Sequence, residues 1–118
     1  MILAEMVAEA SRLSAKIDAG VQALTVAASK AARAEHEYRL EKARSWMTVR
    51  EGTVPERQAQ VDGHCADLRL VRDLAEAERM AALEALRSRR QQASMLQSLA
   101  AAHRAEAEHA KYGIQDTP

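Results

Sequence analysis

The sequence predicts an all-α fold, a long antiparallel two-helix coiled-coil hairpin, and three observations predict it. Among 118 residues there are 26 Ala and 11 Leu but no Phe, and aromatics make up 3% of the chain, whereas strands favour aromatic and β-branched side chains. Gly and Pro, the punctuation of β-turns, number only 4 and 2. Apolar residues recur at alternating steps of three and four on both sides of one central turn.

The first helix is expected over about residues 2–50. Its stripe runs through Leu3, Met6, Ala10, Leu13, Ile17, Val21, Leu24, Ala28, Ala31, Tyr38, Trp46 and Val49, interrupted by Glu35 and Lys42. The turn occupies residues 51–54 and centres on Gly52-Thr53. Gly52 takes the left-handed conformation that ends a helix, Thr53 is an N-cap, Pro55 fits a first turn, and Thr53-Val54-Pro55-Glu56 spells a capping box. The second helix is expected over about 55–112, so each arm is roughly 75–85 Å long at about 1.5 Å per residue. Residues 113–118 read as a frayed tail, and 1–112 as a single domain.

In the second helix the seam is read as Leu70, Leu74, Ala77, Ala81, Gln92, Met95, Leu99 and Ala102, with Ser88 in line. If the chain folds back at Gly52-Thr53, facing residues have numbers that add up to about 105, as Leu3 with Ala102 or Ala31 with Leu74 do. Many such pairs set a large residue against Ala or Ser. Trp46 then faces Ala59 and Gly63, and Gly63 reads as room for the indole, while Gly20 faces Ala85; a break near Gly20 or near Gly63 is the alternative.

A second apolar stripe, Leu68, Val71, Ala75, Ala82, Leu86, Ala93, Leu96 and Ala100, lies about 100° around the second helix from that seam. One partner helix cannot cover both. The second stripe is therefore read as a docking face, for a second copy in a homodimeric bundle or for another protein. Leu68, Leu86 and Leu96 are its expected anchors and Arg87, Arg89 and Arg90 its rim charges, with Leu40, Met47 and Leu83 as secondary contacts.

The 17 basic and 17 acidic residues balance, which gives no overall field to attract nucleic acid or membrane. Basic residues gather locally: no acid interrupts the stretch between Glu84 and Glu106, which holds Arg87, Arg89, Arg90 and Arg104, and the fold brings Arg12 and Lys16 beside it. Nucleic-acid binding through the Arg87–Arg90 patch is the alternative function. The single Cys65 rules out an internal disulfide framework and suits a reducing compartment, and the N-terminus lacks the basic region of a secretory signal, so the expected location is cytoplasmic. His36, His64 and Cys65 come near one another in the hairpin, but a fourth ligand is missing; no metal, cofactor or catalytic constellation is expected, and the protein is read as non-enzymatic.

The stretch Ala34-Glu35-His36-Glu37-Tyr38-Arg39-Leu40-Glu41-Lys42-Ala43-Arg44-Ser45-Trp46, followed by Glu51-Gly52-Thr53-Val54-Pro55-Glu56-Arg57, Ala66-Asp67-Leu68-Arg69-Leu70 and Ala82-Leu83-Glu84-Ala85-Leu86-Arg87-Ser88, resembles small helical-hairpin proteins of tailed bacteriophages that infect actinobacteria. The likeness covers roughly residues 34 to 107 and rests mainly on the turn. It implies an early or recombination-associated phage protein, acting in the infected bacterial cell by binding a host or phage protein, for instance of the DNA replication or recombination machinery. A virion scaffold or structural protein is a third possibility. Tyr112-Gly-Ile-Gln-Asp116 is similar to the tail signal of type VII secreted helical hairpins, but the Trp-x-Gly motif of that family is absent, since Met47-Thr48 follow Trp46.

Overall fold

The computed structural model describes residues 2–115, with side chains described through Tyr112. It contains three helices, α1 (Leu3–Thr48), α2 (Val54–His64) and α3 (Ala66–Gln115), and no strand among the described residues. The first arm is thus one uninterrupted helix that passes through Gly20. The second arm is two helices rather than one. Cys65 separates them with φ −101° and ψ 3°, close to Gly63, where a break is the alternative to room for the indole. Backbone bonding continues across it, as the Cys65 amide donates to the Val61 carbonyl at 3.0 Å and the Arg69 amide to the Cys65 carbonyl at 2.9 Å. The expected tail enters α3 as far as Gln115, and residues 116–118, including Asp116 of the tail signal, lie outside the described residues.

The turn forms for the reasons its residues suggest. Gly52 has φ +101°, a left-handed conformation that L side chains rarely adopt, and Glu56 Oε2 stands 2.7 Å from where a Cβ would be. Thr53 caps α2 with an extended backbone, its hydroxyl accepting the Glu56 amide at 3.3 Å, and Pro55 occupies the first turn.

The helices contribute to two compact units. One comprises residues 22–84 and holds the turn. Its core is Tyr38, Val49, Val61 and Cys65, with Trp46 and Leu68 packed against it, followed by an alanine cluster of Ala31, Ala34 and Ala75. Buried Ser45 lies beside the Cys65 thiol, Oγ to Sγ 3.7 Å. The other unit comprises residues up to 21 and from 85 onward, with a core of Met6, Leu13 and Leu96 flanked by Ala93 and Ala100.

The facing pairs are close to those expected, but not the same. Residue numbers add up to 107 for Glu35 and Arg72, 108 for Lys30 and Glu78, and 110 for Ser45 and Cys65 in one unit, and to 106 for Gly20 and Leu86 in the other. All exceed 105. At about 100° per residue, a shift of one to a few positions turns a different face of α3 inward.

The consequence is an exchange of the two α3 stripes. The expected seam residues Leu70 and Leu99 are 58% and 53% exposed, whereas Ala75 and Leu86, assigned to the docking face, are 1% and 2% exposed. The inward stripe is Leu68, Arg72, Ala75, Arg79, Ala82, Leu86, Arg89, Ala93, Leu96 and Ala100, each buried or half-buried, with steps alternating between four and three. Gly20 is a close approach to Leu86, not to exposed Ala85: a Cβ built there would stand 3.2 Å from Leu86 Cδ1.

Gly63 does not make room for Trp46. It is exposed and nothing lies within 4 Å of where its Cβ would be. Gly63→Ala is therefore expected to raise stability by about 0.5 kcal/mol through the unfolded chain and helix propensity, seen as a rise in the thermal midpoint. A fall would show that the backbone at the α2 to α3 junction needs glycine.

Candidate interaction surfaces

Leu68, Leu86 and Leu96 are not a free docking face. Leu86 and Leu96 are buried within one unit, and Leu68 packs on the Tyr38 cluster in the other. The physical reason is the rotation of α3, which brings their stripe against α1. Leu83 is half-buried, while Leu40 and Met47 are exposed. Of the rim charges, Arg87 and Arg90 are exposed and Arg89 is half-buried, its Nη1 donating to Gln92 Oε1 at 3.4 Å.

What α3 leaves outside is the stripe expected to be its seam. In the unit of the turn this is Leu70, Leu74, Ala77 and Ala81, and in the other it is Gln92, Met95, Leu99 and Ala102, all exposed. Large apolar side chains at helical spacing on an outer surface mark an interaction site more often than scattered single residues do.

A second apolar surface lies within the unit of residues up to 21 and from 85 onward. An open groove of about 380 Å³ is walled by Leu3, Met6, Val7, Ala10 and Ile17 of α1 and by Ala93, Leu96 and Ala100 of α3, with Ser14 and Gln97 as its polar members. No charged residue lines it. Sequence reading passed over this surface because Val7 and Ser14 fall outside the α1 stripe. The available signal was negative: four of the five charges of residues 3–21, Glu5, Glu9, Arg12 and Lys16, fall in one sector of about 60°.

The basic residues sit on the other side of the same helix pair. Lys16 and Arg89 line a shallow depression with Glu9, Gln92 and Met95. Arg12 is taken up by Glu9, Nη2 to Oε2 2.7 Å, with Arg12 exposed and Glu9 half-buried.

Electrostatics in the unit of the turn serve packing. The Arg72 guanidinium lies 4.3 Å from the Tyr38 ring centroid, donates to Asp73 and reaches Glu35 at 3.6 Å. The Asp73 bond chiefly holds Arg72 protonated, above its ordinary value. A bond from Arg79 likewise holds the Glu76 carboxyl below the usual carboxylate range. Lys30 pairs with Glu78 at 2.9 Å. His36 and His64 are exposed and Cys65 is buried, and no group of three His, Cys, Asp or Glu among the described residues is placed to hold a metal ion. No helix among them is long and apolar enough to cross a membrane.

Compared with known proteins, the chain matches no family model, no curated protein and no solved structure.

Proposed function

We propose that the chain is a non-enzymatic protein-interaction module, an antiparallel coiled coil of α1 and α3 in which each unit offers its own part of the outer face of α3 to a helical partner. The observation that carries this reading is the exposure of Leu70, Leu74, Met95 and Leu99 at helical spacing, beside an inward stripe already filled by Leu68 through Ala100. The resemblance to hairpin proteins of actinobacterial phages supports a partner in the cytoplasm of an infected cell, from the host or the phage. Affinity capture from an actinobacterial lysate tests it. Replacing Leu70 and Leu74 with Lys, or Met95 and Leu99 with Lys, is expected to reduce the captured partner about tenfold or more while leaving helical circular dichroism unchanged. Undiminished capture by both variants would remove the reading.

Nucleic-acid binding is the second reading, favoured by the placement of Lys16 and Arg89 around one depression with exposed Arg90 nearby in sequence. Phosphate contacts release counterions, so duplex binding would weaken steeply with salt and be lost in Arg87→Ala/Arg90→Ala.

A further inference from the structure

We infer that a second copy of this chain covers the apolar groove near the start of α1, forming a twofold homodimer in which α1 packs against α1. This surface is distinct from the outer stripe of α3, so the inference goes beyond the proposed function and does not rest on it. Three observations carry it.

The first is the width of the apolar arc. Between residues 3 and 21, α3 takes up the face of Met6, Leu13 and Gly20, and the charges Glu5, Glu9, Arg12 and Lys16 occupy the narrow sector beyond it. About 180° of α1 remain. Leu3, Val7, Ala10 and Ser14 occupy one half of that arc and Ala4, Ala8, Ser11 and Ala15 the other, all exposed, and Asp18 is its one charge. A helix apolar or small around so much of its circumference belongs inside a bundle.

The second is the groove itself, an open trough of about 380 Å³ along α1 whose lining is apolar but for Ser14 and Gln97 and holds no charge.

The third is self-complementarity. An antiparallel crossing centred on Ala10 sets Val7 against the partner's Ser14 and Leu3 against the partner's Ile17, with Ala10 on its own symmetry mate. The small central residue lets the backbones approach. The same register brings Asp18 beside the first turn of the partner's α1, where free amides and the helix dipole favour a carboxylate. A groove without charges meets its copy without like-charge repulsion.

Light scattering on the eluting protein over a dilution series is the test. The wild-type chain is expected at twice the 13.0 kDa chain mass, and Val7→Glu/Ala10→Glu is expected to weaken the dimer by about two orders of magnitude or more while remaining helical. Should that variant unfold, Ala10→Cys serves: a short bismaleimide should link it into covalent dimers, and should link neither Arg12→Cys, on the charged sector, nor the wild type, whose one cysteine is buried. A wild-type monomer, a dimer that survives both glutamates, or equal cross-linking at 10 and 12 would overturn the assignment. A monomer that still captures a partner on the α3 stripe overturns the dimer and spares the module; a dimer that captures nothing does the reverse.

Discussion

Leu86→Ala is expected to lower the free energy of unfolding by about 3 kcal/mol, a large share of the 5–15 kcal/mol that holds an ordinary domain together. Leu86 is 2% exposed and stands over Gly20, whose missing Cβ would lie 3.2 Å from Leu86 Cδ1. Shortening the side chain leaves a space that neither backbone can close without moving α1 and α3 together. Leu99→Ala and Leu70→Ala remove the same atoms from exposed positions and are expected to change stability by no more than about 0.5 kcal/mol. Urea unfolding followed by circular dichroism orders the three variants. If Leu70→Ala or Leu99→Ala proved the costlier, the inward face of α3 would be the stripe of Leu70 and Leu99 after all.

That contrast also shows how far the sequence could be read. Helix content and the turn were legible because they depend on local chemistry: Ala-rich arms, Gly52 at positive φ, Thr53 as cap, Pro55 in the first turn. The inward stripe of α1 was largely legible too, since Met6, Leu13, Ala31, Tyr38 and Val49 are all buried. On α3 the apolar residues offer two faces about 100° apart, and hydropathy favours the wrong one. Three of ten inward positions are Arg72, Arg79 and Arg89, which lay aliphatic stems along the seam while their guanidinium groups reach solvent or partners. A count of apolar residues scores them as breaks. Most of the others are alanines, whose contribution is close approach rather than hydrophobic area, so the continuous alternation of four and three is visible only once the arginines are allowed in. The candidate surfaces inherit this error: Leu86 and Leu96 of the face taken for a docking site are buried, and Leu70, Leu74, Met95 and Leu99 of the face taken for core are exposed.

Tyr38→Ala is expected to cost about 3–4 kcal/mol, the largest loss for a single truncation in the unit that holds the turn. Tyr38 is one of only three aromatic residues in the chain. Its ring packs in the cluster of Val49, Val61 and Cys65, and the Arg72 guanidinium lies over it at 4.3 Å. Removing the ring opens a large cavity and also strips Arg72 of the surface that orients it, a cation–π contact of about 0.5–2 kcal/mol for a half-buried pair. Phenylalanine keeps the volume and the ring face, so Tyr38→Phe should lose less than about 1 kcal/mol. The pair can be isolated by a double-mutant cycle of Tyr38→Ala with Arg72→Met, in which the coupling should be positive and of the order of 1 kcal/mol. Zero coupling would mean that Arg72 is held by Asp73 and Glu35 alone, and that the ring acts only as filler among Val49, Val61 and Cys65. A full coupling would mean that an arginine inside the helix seam is retained for the tyrosine it covers, which is the reason the inward stripe of α3 is only partly apolar.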